Sequence, residues 1–379
     1  MLALVHALTT FVAPPAGVCN MAPTDPQYAT YTKNATAAIP GPAIVNLDHD
    51  PEQRWAELVT PAAPQIKAMI DAFKAEGGAI TEALFALLEK AFDGDAKKLL
   101  AAMPQPYAGE IAGIEAATNI SALDLFVVNI MYEVSGACTS IVAQDASGHI
   151  LHGRNLDFGQ GKKLTTTMRP TLRHLDFQRG GKTVFTSTTF LGYVGCLTCV
   201  KPGAFSVSVD TRIWAYSGGL PGELIKWLLG IDRSGHFLSF MTRDAMEGDA
   251  DYAAAAARFN TTVLLGPAYV IAAGVAAGEG AVFTRCAKES LHYRSLAGEL
   301  AAGRPYVLET NYDWWDGKSH DRRDDGVACM EQTTKGGGID YASLFQVLSA
   351  KPTRNAETTY TAIMSAGDGG HHEAYLQFV

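Results

Sequence analysis

Two spacings of apolar side chains divide this chain. Between residues 50 and 132 they recur every third or fourth position, as in Ile66, Met69, Ile70 and Phe73, then Leu84, Leu87, Leu88 and Phe92. That period sets them on one face of a helix and predicts helices over 64–73, 81–92, 98–103, 109–117 and 122–132. From Cys138 onward the pattern shortens to β-branched and alternating runs. A hairpin is expected from 139–144 and 149–153 around the turn cluster Asp145-Ala146-Ser147-Gly148. Further strands are expected over 183–189, 205–209, 261–265, 268–272, 280–284, 306–309 and 359–365, with an early one over 43–48. Helices are expected over 221–229, 237–247, 252–259 and 341–349. Residues 1–44, rich in Ala, Pro and Thr, read as a candidate signal peptide and irregular lead-in. The order suits an α+β fold of antiparallel sheets with helices on their outer faces, without internal repeats.

The chemistry concentrates on that hairpin. If Gln144 faces His149 across the turn, Cys138 falls opposite about Asn155, and Arg154 and Asp157 lie beside the thiol. A lone cysteine is usually a buried structural thiol. A structural hairpin, however, has little reason to aim a cation and a carboxylate at an apolar group, because a buried unpaired charge is costly.

Composition then bounds the function. With 379 residues, 47% hydrophobic and 18% charged, the chain can bury a large core. Its net charge of −9 argues against a nucleic-acid partner. The charge is uneven: residues 1–137 carry 7 Lys+Arg against 15 Asp+Glu, while 138–379 carry 23 against 24. Two unlike parts therefore meet near Cys138. No run of about eighteen apolar residues promises a membrane span. Of six cysteines, Cys196 and Cys199 form a lone CxxC, which lacks the second ligand pair a zinc site needs; buried thiols or a local disulfide remain open. Sequons stand at Asn34, Asn119 and Asn260.

The run CTSIVAQD…HGRNLDF, with Arg154 and Asp157 sixteen and nineteen positions after Cys138, resembles the acid ceramidase and N-acylethanolamine-hydrolysing acid amidase family. The likeness continues through Leu175–Arg179, Phe190–Gly195, Lys201–Gly203, Glu309–Asp313 and Asp321–Arg323. It implies an N-terminal-nucleophile αββα sandwich with a helical N-terminal lobe, and a lysosomal or secreted protein. The chain would be cut at 137/138 into a mainly helical α chain (45–137) and a catalytic β chain (138–379). A Cys19–Cys329 disulfide would hold them together. The substrate would be a lipid amide, ceramide first and N-acylethanolamine as the alternative, taken from a vesicle or membrane surface, with no cofactor and no metal.

The resemblance also implies roles. A freed α-amine, with a reference pKa near 8, can act as base toward its own thiol, so no histidine is needed. Cys138 would attack the amide carbonyl, Asp157 hold the α-ammonium, Arg154 steer the carbonyl and Asn311 donate to the oxyanion. Arg322 matches the family's distal arginine. One departure stands out: where the family has a Glu before Arg, implicated in acid-triggered self-cleavage, this chain has Thr211, with Asp210 one position earlier. Three rival readings are weaker. A papain-like site lacks an evident His and Asn, a non-catalytic lipid binder would not keep all five residues, and an acylase for soluble substrates would not need the helical first third.

Overall fold

The helical spacing of the first third folds into α1 (Ala56–Val59), α2 (Ala63–Glu76), α3 (Gly78–Phe92), α4 (Ala96–Ala102), α5 (Tyr107–Thr118) and α6 (Ala122–Val134). This computed structural model describes residues 38–134, 136–158, 162–212, 220–336 and 338–376. Ile66, Met69, Ile70, Phe73, Leu84, Leu88 and Phe92 all turn into the core, while Phe85 and Leu87 are half-buried. The apolar stripes are therefore mostly packing surface.

Thirteen strands are described: β1 (Ala43–Asn46), β2 (Ala137–Gln144), β3 (Ile150–Asp157), β4 (Leu172–Arg179), β5 (Lys182–Phe190), β6 (Thr198–Lys201), β7 (Phe205–Thr211), β8 (Ala268–Ala273), β9 (Gly280–Arg285), β10 (Ser290–Ser295), β11 (Tyr306–Glu309), β12 (Thr358–Ser365) and β13 (His371–Leu376). They form an eight-stranded sheet, β1-β4-β5-β6-β7-β8-β9-β10, and a five-stranded sheet, β11-β2-β3-β12-β13. The remaining helices are α7 (Lys162–Met168), α8 (Gly222–Leu228), α9 (Leu238–Gly248), α10 (Tyr252–Thr261), α11 (Leu296–Ala301), α12 (Asp321–Gly336) and α13 (Tyr341–Ser349).

Alternation along the strands builds four layers. Val142, Ile150 and Val307 of the smaller sheet meet Tyr269, Ile271 and Val282 of the larger one. The other face of the smaller sheet, through Ile141, Leu151 and Leu308, packs on Met330, Leu344 and Leu348 of α12 and α13. The outer face of the larger sheet, through Phe177 and Phe205, joins one core with α2, α3, α5, α6, α9 and α10. The fold is thus the expected α+β sandwich, with the helical lobe attached to one side.

One expectation about elements is corrected. No strand forms over 261–265: α10 continues to Thr261, and Leu264 makes only an isolated bridge to His236. Asp251 caps the start of α10 by accepting from Ala254 N at 2.9 Å, and Arg285 gathers the carbonyls of Phe259 and Thr262 at its end. These caps outweigh the β-branched Thr261-Thr262-Val263. The long helix α12 is an addition to the expected elements. Its first turn is charged and only Gly326, Ala328, Cys329 and Met330 are buried, so no apolar stripe announces it.

The expected Cys19–Cys329 disulfide reaches outside the described residues at Cys19; Cys329 is disulfide-bonded. Cys196 and Cys199 form a local disulfide. Among the described residues no His/Cys/Asp/Glu group could hold a metal, and no helix is long and apolar enough to cross a membrane.

Candidate active site

The hairpin register differs from the expected one by a single residue. Cys138 pairs with Leu156 and Gln144 with Ile150. Asp145 accounts for the slip: its carboxylate accepts from Ser147 N and His149 N at 2.8 and 2.9 Å, and its own N–H donates to His149 O. His149 is thereby held in the turn. Residues directly opposite share a face, so a one-residue slip exchanges the faces. Arg154, opposite Ser140, stands with Cys138 between the sheets, and Asp157, opposite Ala137, lies on the side toward α12 and α13.

On the inner face the Cys138 Sγ is fully buried, 3.0 Å from Arg154 Nη2 and 2.5 Å from Tyr132 Oη. Arg154 also donates to Leu197 O, Thr198 Oγ1, Val209 O and Tyr132 Oη. Among the described residues it has no carboxylate within salt-bridge distance, which leaves the sulfur as the group best placed to balance its charge. Burial nevertheless pushes the thiol up to about 11, with Arg154 pulling it down and Asp210 and Asp157 pushing it further up. The thiol is neutral in the continuous chain.

On the other side of the strand, Asn311 and Arg322 hold the backbone of Cys138. Its N–H donates to Asn311 Oδ1 at 2.8 Å, and its carbonyl accepts from Arg322 Nη1 at 2.6 Å. Arg322 Nη2 reaches the same Asn311 Oδ1 at 2.5 Å, and Arg322 Nη1 lies 3.5 Å from Asp157 Oδ2. Asn311 Nδ2 donates to Thr211 O at 2.7 Å, so in the continuous chain this donor is engaged. Asp157 Oδ2 accepts from Asn355 Nδ2 at 3.0 Å, while its Oδ1 is buried and accepts nothing. Burial raises the Asp157 carboxyl, and Arg322 opposes that rise. Cys138, Arg154, Asp157, Asn311 and Arg322 thus lie in one connected group.

Several polar residues surround this group, of which the sequence singles out only Asp210, one position before Thr211. Tyr132, in the last turn of α6, touches both the sulfur and Arg154. A buried chain runs from Ser206 Oγ to His152, to Ser208 Oγ, to Ser140 Oγ and to Asp210 Oδ1, each step 2.8–2.9 Å. Burial holds His152 down at about 3, so it is neutral, and pushes Asp210 up to about 7. Glu309, opposite Ser140 in the sheet, is pushed up to about 8. Asp313 fastens the loop after Asn311 by accepting from Arg212 Nε and Tyr269 Oη, both at 2.7 Å. The only sequence signals for these residues are their places beside the motifs, two positions before Asn311, two after it, and one before Thr211.

A family model for the beta subunit of N-acylethanolamine-hydrolysing acid amidase matches residues 43–97. A second model, for linear amide C–N hydrolases of the choloylglycine hydrolase family, matches 138–298 and so starts at the cysteine. Acid ceramidase of Bos taurus is 37% identical over 346 residues, covering 88% of this chain and 85% of that protein. The chain belongs to the acid ceramidase and N-acylethanolamine-hydrolysing acid amidase family. It is an amidohydrolase of linear amides. Acid ceramidase of Mus musculus is 34% identical over 391 residues, covering 98% of this chain and 97% of that protein. Among solved structures, a Caenorhabditis elegans N-acylethanolamine-hydrolysing acid amidase ortholog superposes with a TM-score of 0.54 at 31% identity, covering 64% of this chain and all of that one.

Proposed function

We propose that this family member is an acid N-acyl amide hydrolase that cleaves ceramide to a sphingoid base and a fatty acid, after its own chain is cut between Ala137 and Cys138. The observation that carries the substrate is the similarity to acid ceramidases over 88% of the chain. The cut frees an α-amine at Cys138, which takes the thiol proton; the thiolate attacks the amide carbonyl carbon. As the C–N bond breaks, the α-ammonium returns its proton to the leaving amine. Water then hydrolyses the thioester and releases the fatty acid.

The five residues take separate parts. Asp157 Oδ1, buried without a donor across the ladder from Ala137, receives the α-ammonium. Arg154 stabilises the thiolate and the developing charge. Asn311 Nδ2 turns from Thr211 O to the oxyanion, a contribution of roughly 3–4 kcal/mol in comparable sites. Arg322 keeps Asn311 and the Cys138 carbonyl in register. The lysosome suits the acid reaction, and the sequons at Asn119 and Asn260 are on exposed residues; Asn34 lies outside the described residues.

The N-acylethanolamine reading is favoured by the family model over 43–97 and by the C. elegans structure. Turnover of a ceramide and of an N-acylethanolamine in mixed micelles at acid pH separates the two. Faster ceramide cleavage is expected, absent in Cys138→Ala; faster release of ethanolamine by the wild type reverses the assignment.

A further inference from the structure

We propose that Tyr132 is a catalytic residue that the N-terminal part of the chain contributes to the nucleophile, its hydroxyl turning to donate to the Cys138 thiolate beside Arg154. This rests on the cut at 137/138 and the Cys138 nucleophile proposed above. Tyr132 is fully enclosed in the last turn of α6, six residues before the cysteine, and therefore on the far side of the cut. Its Oη lies 2.5 Å from Sγ, 2.9 Å from Arg154 Nη2 and 2.5 Å from Val209 O.

Val209 O is only an acceptor and Arg154 Nη2 only a donor, so in the continuous chain the arrangement that partners every atom has the Tyr132 O–H on Val209 O and the Cys138 S–H on Tyr132 Oη. When the proton leaves sulfur for the α-amine, Sγ becomes an acceptor. The Tyr132 O–H can then rotate from Val209 O to the thiolate, which then has two donors, Tyr132 Oη and Arg154 Nη2. Burial keeps the phenol far above its ordinary range, so Tyr132 serves as a donor and not as a base.

The position is held firmly. Asn129, one turn earlier on α6, donates to Gly192 O at 2.9 Å and accepts from Val194 N at 2.7 Å, which ties the helix to the loop after β5. The Arg154 guanidinium carbon sits 5.7 Å from the Tyr132 ring centre. The ring also supports the turn into β2, since a Cβ on Gly136 would come within 3.1 Å of its edge.

The experiment compares cut wild type with Tyr132→Phe and with a form carrying 3,5-difluorotyrosine at 132, which keeps the shape and donates more strongly. The readouts are the pH dependence of Cys138 alkylation by iodoacetamide and of kcat and KM for the better lipid amide. For Tyr132→Phe the thiolate pKa is expected to rise by about one unit and kcat to fall roughly tenfold with little change in KM. The difluoro form should shift the alkylation profile the other way, and it decides the matter if Tyr132→Phe does not fold or is not cut. Profiles that coincide with wild type in either comparison overturn the role of Tyr132 alone. A wild type that neither begins a chain at Cys138 nor reacts there overturns the underlying cut and nucleophile, and this role with them.

Discussion

At the scale of the residue, the site places one guanidinium against one neutral thiol. Arg154 spends its Nη donors on two backbone carbonyls, a threonine hydroxyl, a phenol and the sulfur. A Cys138 thiol held at about 11 and fully buried is a poor nucleophile at neutral pH, whatever its neighbours. Cys286 is free and half-buried, which gives an internal reference in the same molecule. Iodoacetamide on the uncut chain at neutral pH should therefore modify Cys286 well before Cys138, as read by peptide mapping. After the cut the order should reverse. Early labelling of Cys138 in the uncut chain would contradict the closed, neutral thiol.

At the scale of the element, the turn into β2 leads directly to the 137/138 bond that is proposed to break. Gly136 has φ 149°, a region that side-chain-bearing residues avoid, and a Cβ there would lie 2.8 Å from Thr211 Oγ1. Gly136→Ala should cost about 1–3 kcal/mol in backbone strain. It should lower the melting temperature and slow the appearance of a chain beginning Cys-Thr-Ser, measured by intact mass against time. An unchanged rate would mean that this turn does not prepare the cut. The same hairpin marks how far the sequence could be read. The spacing of Cys138, Arg154 and Asp157 announced a shared sheet end, but not the faces, because the register depends on Asp145 holding His149 inside the turn. Tyr132 belonged to an apolar helical run and looked like packing. Its meaning comes from Val209 and Arg154, brought to it by β7 and β3. The charged first turn of α12 hid a helix because it buries few apolar side chains, although Arg322 in that turn stood out by resemblance.

At the scale of the whole molecule, the two parts are joined by more than a peptide bond. Glu110 of α5 accepts from Arg54, from Trp55 and, with both oxygens, from Arg243 of α9 across the lobe boundary. The four groups form a largely buried, well-paired cluster. A single core also runs from α2 and α3 to β4 and β7, so separation after a cut would expose a large apolar area.

The space between the sheets holds the opposite kind of cluster, two carboxyls with little to balance them. Asp210 is faced by Arg154 and Arg322, which favour its charge, and by Asp157, which opposes it; Glu309 is raised by burial and further by Asp210, against Arg294 and Arg323. Ser140 donates to Asp210 Oδ1, while Oδ2 has no partner. Asp210 is raised to about 7 in the folded chain from an ordinary 3.8, so its stabilising proton is fully bound below about pH 4 and lost as pH rises through 7. Each pH unit in that window is worth about 1.4 kcal/mol. Asn keeps the acceptor for Ser140 and mimics the neutral acid at every pH. Asp210→Asn should therefore melt with the wild type near pH 4.5 and above it near pH 8, the gap opening between those values. Subtracting one protein from the other cancels the buried histidines, His152 among them, whose lowered values act in the opposite sense. If Asp210 supplies the acid trigger that Thr211 cannot, Asp210→Asn should also be cut at neutral pH as fast as at acid pH. A constant melting gap would place the charge of Asp210 outside the folding equilibrium. A cut that still requires acid would assign the trigger to a group other than Asp210, with Glu309 the next buried carboxyl.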